Sequence, residues 1–476
     1  MSTTYIPVET KELKEEPVEF EKSTSPPVFR QFLAAITCSI LALLYGQTIG
    51  WSSIAVPQFQ EGILAGGPVS QVHLGWIGGA PCLGALISSP FHGLLADKMG
   101  RKFASYLIGV AFLVNWGIMS MTENFWIILV ARFISGIGGA GTVTLVSIYN
   151  NEVASPSLKA SLGGLMVMGF TFGILNAYIL GALLSYSACI KIYLICCVIF
   201  FPSWWFMPES PAYLVLNERD EKAMVVLKWL LGKRGTHARE AILRIKKEQA
   251  GAVKPASLKQ FFKSPAARKG LVYGMALFSI QTFSGVFAVL SYASGIISRS
   301  GAGISPFSAF LLYGGLMVAG SLLPPLIADR LPRRFLLAIS CILLSTGMAM
   351  LGTFQYLRTQ GMELTPGSFL SWIPIIILSI TVFSHFIGLG SVTYVTVMEL
   401  FSDETRGVAG SLIAIVIWGT SFILLQFFHM AVESFGDHVV FFFFSSVCAF
   451  GLFFTYTILP ETRGKSSAEM AAILTK

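Results

Sequence analysis

Long apolar runs alternate with short polar segments along almost the whole chain. An α-helix needs about 20 mostly apolar residues to cross the hydrocarbon core of a bilayer. Twelve runs reach that length, and they predict twelve spanning helices. They cover approximately residues 32–56, 72–95, 103–121, 124–148, 160–184, 187–207, 268–297, 306–328, 335–357, 369–396, 408–432 and 438–459. The predicted class is therefore an all-α membrane protein.

The composition supports this class. Hydrophobic residues make up 54% of the 476 positions and charged residues 12%, whereas soluble proteins carry about 25% charged residues. The seven cysteines are scattered through the apolar runs without a CxxC motif. Neither a disulfide framework nor a metal site is expected from that spacing.

The basic residues predict the orientation of the chain. If the N-terminus lies inside, 29 of the 33 Lys and Arg residues fall in segments on the inner side of the twelve spans. By the positive-inside rule, both termini are then cytosolic. The net charge of +8 is explained by this orientation, so nucleic acid is not expected as a partner.

The spacing of the apolar runs divides the chain into two six-helix halves, 31–207 and 268–459, joined by a polar segment, 208–267. That segment is rich in Lys, Arg and Glu, and its apolar residues have helical spacing, so it is predicted to be a cytosolic helical linker. Residues 1–30 are rich in Pro and Glu and are predicted to form a disordered cytosolic tail. Residues 460–476 are predicted to form a cytosolic C-terminal tail.

Three short polar signatures recur in both halves, in the same order and at equivalent places between spans. They are GLLADKMGRK (93–102) with LIADRLPRR (326–334), the pair Glu152 and Lys159 with the pair Glu399 and Arg406, and PESPAYL (208–214) with PETRGKS (460–466). Three paired signatures indicate an internal duplication, which is the architecture of major facilitator transporters.

With these motifs, and with ARFISGIGGAG (131–141), IQTFSGVFAVLSY (280–292) and MELFSDETRG (398–407), the chain resembles the sugar-porter family of the major facilitator superfamily. GWSSIAVP (50–57) is most similar to its insect trehalose-transporter-like branch. The resemblance implies the major facilitator fold, a plasma-membrane location and a site near the bilayer midplane that opens alternately to either side.

The resemblance also implies a cytoplasmic gate built from charged residues of both halves. Those residues are Asp97, Arg101, Glu152, Lys159, Glu209, Asp329, Arg333, Glu399, Arg406 and Glu461. A partly buried ion pair is nearly balanced between attraction and desolvation, which suits an element that must open and close. The alternative is that these charges only set orientation and lie solvated in loops.

The substrate site implied by the resemblance departs from the family pattern. Gln281 and Tyr292 match it, whereas several amide positions carry other residues. The candidate substrate-binding residues are Gln47, Val167, Thr171, Gln281, Thr282, Phe287, Ser291, Tyr292, Met317, Tyr394 and Trp418. A substrate hydroxyl without a partner costs about 1–3 kcal/mol. Any single aromatic or Thr residue among them is equally consistent with ordinary helix packing.

Facilitated diffusion is the predicted mode of transport. Proton-coupled members of the family carry an Asp in the first span, where this chain has Gln47. A titratable group facing the cavity is the usual means of proton uptake, and His385 is the minority candidate for it. No enzymatic motif is present, since GIGGAG (136–141) lies inside an apolar span and is expected to serve helix packing.

The sequence therefore predicts a facilitator of a hexose or trehalose that binds no cofactor and acts as a monomer within membrane lipid. Two alternatives remain. One is a transporter of another small polar solute, and the other is a sugar-porter-like sensor that does not transport.

Overall fold

The computed structural model describes residues 28–64, 67, 69–232, 235–250, 256–299, 306–324, 331–362 and 369–475. These residues form nineteen α-helices and one short 3-10 helix, Pro156–Leu158, and no strand occurs among them. The helices are α1 (Val28–Gln60), α2 (Gln71–Met99), α3 (Arg101–Met121), α4 (Phe125–Val153), α5 (Lys159–Leu183), α6 (Tyr186–Trp205), α7 (Pro211–Leu216), α8 (Asp220–Leu231), α9 (Gly235–Ala250), α10 (Leu258–Lys263), α11 (Pro265–Phe283), α12 (Val286–Arg299), α13 (Pro306–Leu322), α14 (Arg333–Thr359), α15 (Phe369–Ile387), α16 (Val392–Glu399), α17 (Asp403–Phe435), α18 (Asp437–Thr457) and α19 (Ser467–Thr475).

The all-helical membrane fold predicted from the apolar runs is confirmed. Within the described residues, eleven helical segments are long and apolar enough to span a membrane. They coincide with eleven of the twelve predicted runs. The remaining run, 306–328, coincides with a shorter apolar helix, Phe307–Leu322, and residues 325–330 lie outside the described part of the chain.

Two predicted spans are each divided into two helices. The seventh is broken between α11 and α12, where Gly285 has a φ of +84°. That conformation is open to glycine because it has no Cβ. The tenth is broken between α15 and α16 at residues 388–391, although this stretch contains no proline. The apolar pattern predicted both spans as continuous helices, because a break of two to four residues does not interrupt an apolar run.

Side-chain packing holds the break in the tenth span. The Ser340 hydroxyl of α14 accepts a hydrogen bond from the Leu389 N–H at 3.1 Å. It also donates to the Ser384 carbonyl at 2.8 Å. A backbone group released by the break is therefore satisfied within the bundle, as a spanning segment requires.

The linker 208–267 is helical as expected and contains α7, α8, α9 and α10. Its helices share a small apolar core that includes Leu214, Leu227 and Ile242. The guanidinium of Arg30 in α1 donates to the Trp229 carbonyl at 3.1 Å, and the Ala256 N–H donates to the Glu404 carbonyl at 2.9 Å. The linker thus contacts both halves at the same end of the bundle.

The terminal segments differ in how much of them the structure describes. Residues 1–27 of the predicted disordered tail lie outside the described residues, and α1 begins at Val28 rather than at residue 31. The C-terminal segment contains α19, whose Met470 and Leu474 are buried. This short tail is therefore partly packed against the bundle.

Candidate functional site

The first ion cluster lies where α2, α3 and α4 of the N-terminal half meet, and we name it the N-cluster (Asp97, Arg101, Glu152 and Glu209). Arg101 is 5% exposed. Its Nε and Nη2 donate to the two Glu152 carboxylate oxygens at 2.9 and 2.8 Å. Its Nη1 donates to the Ala96 carbonyl at 3.2 Å and lies 3.2 Å from the Asp97 carboxylate. A bidentate, charge-assisted pair of this kind is the strong form of ion pair.

Glu209 closes the N-cluster by binding the N-terminus of α3. Its carboxylate accepts from the backbone N–H of Arg101 at 3.0 Å and from that of Lys102 at 3.1 Å. The first N–H groups of a helix have no partner within the helix, so a carboxylate there satisfies them. Burial raises the pKa of Glu209, while these N–H groups and the Arg101 charge act to lower it.

A second cluster repeats this arrangement in the C-terminal half, and we name it the C-cluster (Arg333, Glu399 and Glu461, with Thr462). Glu461 accepts from the backbone N–H of Arg333 at 3.0 Å and from that of Arg334 at 3.1 Å. Arg333 is 8% exposed, and its Nη2 lies 3.5 Å from the Glu399 carboxylate. The other Glu399 oxygen accepts from the Thr462 hydroxyl at 2.5 Å.

The remaining predicted gate residues lie at the edges of these clusters. Lys159 is exposed at the start of α5, and no ion pair to it is found among the described residues. Arg406 pairs with Asp403 of its own helix at 2.7 Å. Asp329 lies outside the described residues. The structure therefore assembles the predicted gate as two clusters, each within its own half.

The two halves contact each other in the middle of the bundle and at the end opposite the clusters. The Thr171 and Ser321 hydroxyls lie 3.1 Å apart across the interface of α5 and α13. Nε2 of Gln426 donates to the Val72 carbonyl at 3.3 Å between α17 and α2. The Tyr178 hydroxyl donates to the Leu290 carbonyl. We refer to the end opposite the clusters as the outer end, following the predicted orientation, and to the end with the clusters as the inner end.

The two broken helices meet at one point near the middle of the C-terminal half. Gln281, in the last turn of α11, donates a long hydrogen bond of 3.5 Å to the carbonyl of Gly390, which lies within the break of the tenth span. The predicted substrate residue Gln281 therefore contacts the break between α15 and α16. An amide inside a spanning helix is costly unless it is bonded or used.

Other candidate substrate residues of α11 and α12 are mostly buried in helix contacts. Thr282 accepts from the Thr420 hydroxyl at 3.2 Å. Ser291 is buried, and Phe287 is half-buried. Tyr292 donates to the Leu425 carbonyl at 3.3 Å and stacks on Phe428, both within its own half. A Cβ built on Gly78 of α2 would lie 2.2 Å from the Tyr292 hydroxyl, so this side chain also contacts the N-terminal half.

The candidates on the other helices divide by exposure. Met317 and Thr171 are buried and Val167 is half-buried. Tyr394 is 55% exposed. Trp418 lies with its ring centroid 6.4 Å from that of Tyr45 in the opposite half. The structure therefore brings Tyr292, Thr171 and Trp418 to the interface between the halves, and Gln281 to the break in the tenth span.

Gln47 is enclosed by helices of the N-terminal half, with Asn176 of α5 and Cys196 of α6 as its neighbours. It is fully buried, and its Nε2 donates to Asn176 Oδ1 at 2.9 Å. The first-span residue that faces the buried Arg132 is Ser52, whose hydroxyl accepts from Nη2 at 2.8 Å. Sequence reasoning missed Ser52, and the signal available for it was the helical spacing of GWSSIAVP around a buried face.

Arg132 has no carboxylate among its described partners. Its Nε donates to the Ile77 carbonyl at 3.1 Å and its Nη1 to the Thr48 carbonyl at 2.7 Å. Its guanidinium lies 5.0 Å from the centre of the Trp51 ring. A buried guanidinium bonded to neutral acceptors needs no proton-binding partner to satisfy its donors.

Comparison with known proteins agrees with this architecture. The sequence model of the family described as "Sugar (and other) transporter" matches residues 14–474. The chain is 28% identical over 457 residues to the facilitated trehalose transporter Tret1 of Polypedilum vanderplanki, covering 95% of this chain and 90% of that one. It is 26% identical over 479 residues to the mouse (Mus musculus) solute carrier family 2, facilitated glucose transporter member 6, covering 96% and 93% of the two chains.

Among solved structures, the fold is similar to that of the xylose transporter XylE from E. coli in a partially occluded inward-open conformation. The TM-score is 0.77 at 19% identity, over 92% of this chain and 100% of that one. The proton:xylose symporter XylE bound to 6-bromo-6-deoxy-D-glucose gives a TM-score of 0.71 at 20% identity, over 94% and 99% of the two chains. At these identities the likeness establishes the fold alone.

Proposed function

Because the chain belongs to the sugar (and other) transporter family, as its motifs predicted, we propose that it carries a sugar, a hexose or trehalose, down its gradient across the plasma membrane. Both termini lie on the cytosolic side in this proposal. The observation that carries it is the pairing of two repeated halves. The hydrogen bonds described between them lie in the middle of the bundle and at the outer end, while the ion pairs at the inner end lie within each half. Such halves can rock against each other and expose a central site to either side in turn.

The two ion clusters act within the halves during this motion. Each joins the inner ends of three helices through an Arg and two Glu side chains, so each half moves as a unit. Between the halves, the contacts at the outer end are neutral hydrogen bonds and apolar packing. Those contacts are exchanged at low cost when the outer side opens, which keeps the two states within a few kcal/mol.

Transport is not coupled to protons in this proposal. The guanidinium of Arg132 is satisfied by two carbonyls and the Ser52 hydroxyl, none of which titrates near neutral pH. Gln47 stands where the resemblance places the Asp of proton-coupled family members, and its side chain is bonded to Asn176. The apolar side chains at Val167, Phe287 and Met317 favour a second candidate substrate, a small polar solute with fewer hydroxyl groups.

The test is uptake of radiolabelled glucose and trehalose by oocytes that express the protein, with and without an imposed proton gradient. We expect saturable uptake of at least one sugar that is unchanged by the gradient. Uptake that rises with the inward proton gradient contradicts the uncoupled mechanism. Absence of uptake of both sugars, with the protein verified at the surface, contradicts the substrate assignment and directs the search to less hydroxylated solutes.

A further inference from the structure

A buried histidine, His385, lies beside the break in the tenth span. It is in the last turn of α15, three residues before Gly388, and 9% of its surface is exposed to solvent. Its Nδ1 is buried and has no hydrogen-bond partner among the described residues. A buried polar atom without a partner costs about 1–3 kcal/mol. The Nδ1 atom is therefore available to a bound ligand.

The direction of this side chain follows from its neighbours on α15. Ser384 turns its carbonyl to Ser340 of α14, and Phe383 packs near Gly320 of α13. Ile380 is 48% exposed on the outer surface of the helix. At 3.6 residues per turn, His385 lies roughly 140° around the helix from Ile380. It is therefore on the side of α15 that faces the interior of the bundle.

The His385 imidazole and the Gln281 amide both contact Gly390. A Cβ built on Gly390 would lie 2.7 Å from Cδ2 and 2.9 Å from Nε2 of His385, so the imidazole edge packs against Gly390. From the other side, Gln281 donates to the Gly390 carbonyl at 3.5 Å. That bond is long, so the amide can exchange it for a better partner at little cost.

We propose that His385 binds a hydroxyl group of the transported sugar, together with Gln281, and is a specificity-determining residue of the site. This inference rests on the proposed function. A neutral imidazole offers one donor and one acceptor, which matches a sugar hydroxyl that accepts one hydrogen bond and donates another. It adds a polar group to a set of candidate residues in which Val167, Phe287 and Met317 are apolar. The proposed ligand is a neutral polyhydroxylated solute rather than an apolar or anionic one.

The test measures the KM for the better transported of the two radiolabelled sugars in oocytes, at verified surface expression. We expect His385→Phe to raise the KM roughly tenfold, because one hydroxyl loses its partners. His385→Gln keeps a donor and an acceptor and is expected to stay within about threefold of wild type. Ser384→Ala is the matched control. The Ser384 hydroxyl is buried and donates to the Ile380 carbonyl of its own helix, so we expect the KM of this variant to equal that of wild type.

Monodeoxy analogues of the same sugar separate binding from a structural role. One hydroxyl should exist whose removal weakens uptake by wild type but has no further effect in His385→Phe, since the interaction is already lost. Two results overturn the assignment of His385 and leave the proposed function standing. One is an unchanged KM in His385→Phe, and the other is that every analogue loses the same fraction of uptake in the variant as in wild type. If wild type transports neither sugar, the proposed function fails and this inference fails with it.

Discussion

The inner and outer ends of the bundle are held together by different chemistry. At the inner end, charged groups are bonded within each half, as in the Arg101–Glu152 pair at 2.8 Å. In the middle of the bundle and at the outer end, the halves meet through neutral groups, namely the Thr171–Ser321 hydroxyls and the Gln426 amide. Strong interactions thus join helices that move together, and weak ones join surfaces that must separate. This division is what rigid halves with a reversible interface require.

A second contrast lies between the two ion clusters. In the N-cluster, Glu152 gives both oxygens to Arg101. In the C-cluster, Glu399 shares its oxygens between Arg333 at 3.5 Å and Thr462 at 2.5 Å. Glu209 and Glu461 bind the N-termini of α3 and α14, respectively, in the same way. The duplication therefore preserved the helix-end contacts, while the ion pair itself is tighter in the N-terminal half.

The largest expected effect comes from breaking the outer interface. A Cβ at Gly75 of α2 would overlap the backbone carbonyl oxygen of Gln426 in α17, so Gly75→Ala should prevent the outer end from closing. We expect uptake to fall by about tenfold or more, which corresponds to about 1.4 kcal/mol. The measurement is the initial rate of sugar uptake per transporter at the surface.

Gly117→Ala is the control for that substitution. No atom of the described residues lies within 4 Å of a Cβ built at Gly117, so the helix tolerates the methyl group and uptake should be unchanged. Equal rates for Gly75→Ala and wild type would show that α2 and α17 do not need this close approach during transport.

The next prediction concerns thermal stability rather than the rate of uptake, and it distinguishes the two clusters. Arg101→Ala leaves the half-buried Glu152 without its bidentate partner, and loss of one member of a buried pair costs about 3–5 kcal/mol. Arg333→Ala should cost less, since Glu399 keeps its bond to Thr462. The thermal midpoint of the purified protein in detergent should therefore fall further for Arg101→Ala. The reverse order would show that the distances do not report the strength of the pairs.

The smallest effect concerns the hydroxyl pair between the halves. Thr171→Val and Ser321→Ala each remove the hydrogen bond that joins the halves in the middle of the bundle, which contributes about 0.5–1.5 kcal/mol. We expect a shift towards the outward-open state, measured as faster labelling of a cysteine placed in the outer part of the cavity. The double variant should resemble the single ones, because the same bond is lost in each. Additive effects would contradict a direct bond between these hydroxyls.

Much of the candidate site was predictable because its residues lie in repeated motifs. Arg101, Glu152 and Glu209 were selected together, as were Arg333, Glu399 and Glu461, and the structure brings each set together. Their division into separate clusters was not predictable, since the motifs do not say which conformation is adopted. The partner of Gln47 was not predictable, because Asn176 lies in another helix and far away in the sequence. Ser321 and Ser340 were missed, since single hydroxyls carry no pattern in an apolar run.

The sequence by itself determined the class, the number of spans and the duplicated organisation, because hydrophobicity and repeated motifs are properties of consecutive residues. The tertiary structure decided which polar groups become partners. The breaks at Gly285 and Gly388, the Arg132–Ser52 contact and the placement of His385 beside Gly390 each depend on helices that are distant in the chain. In a bundle surrounded by lipid, a buried polar group must find its partner within the protein, and only the packing of the helices establishes which one it finds.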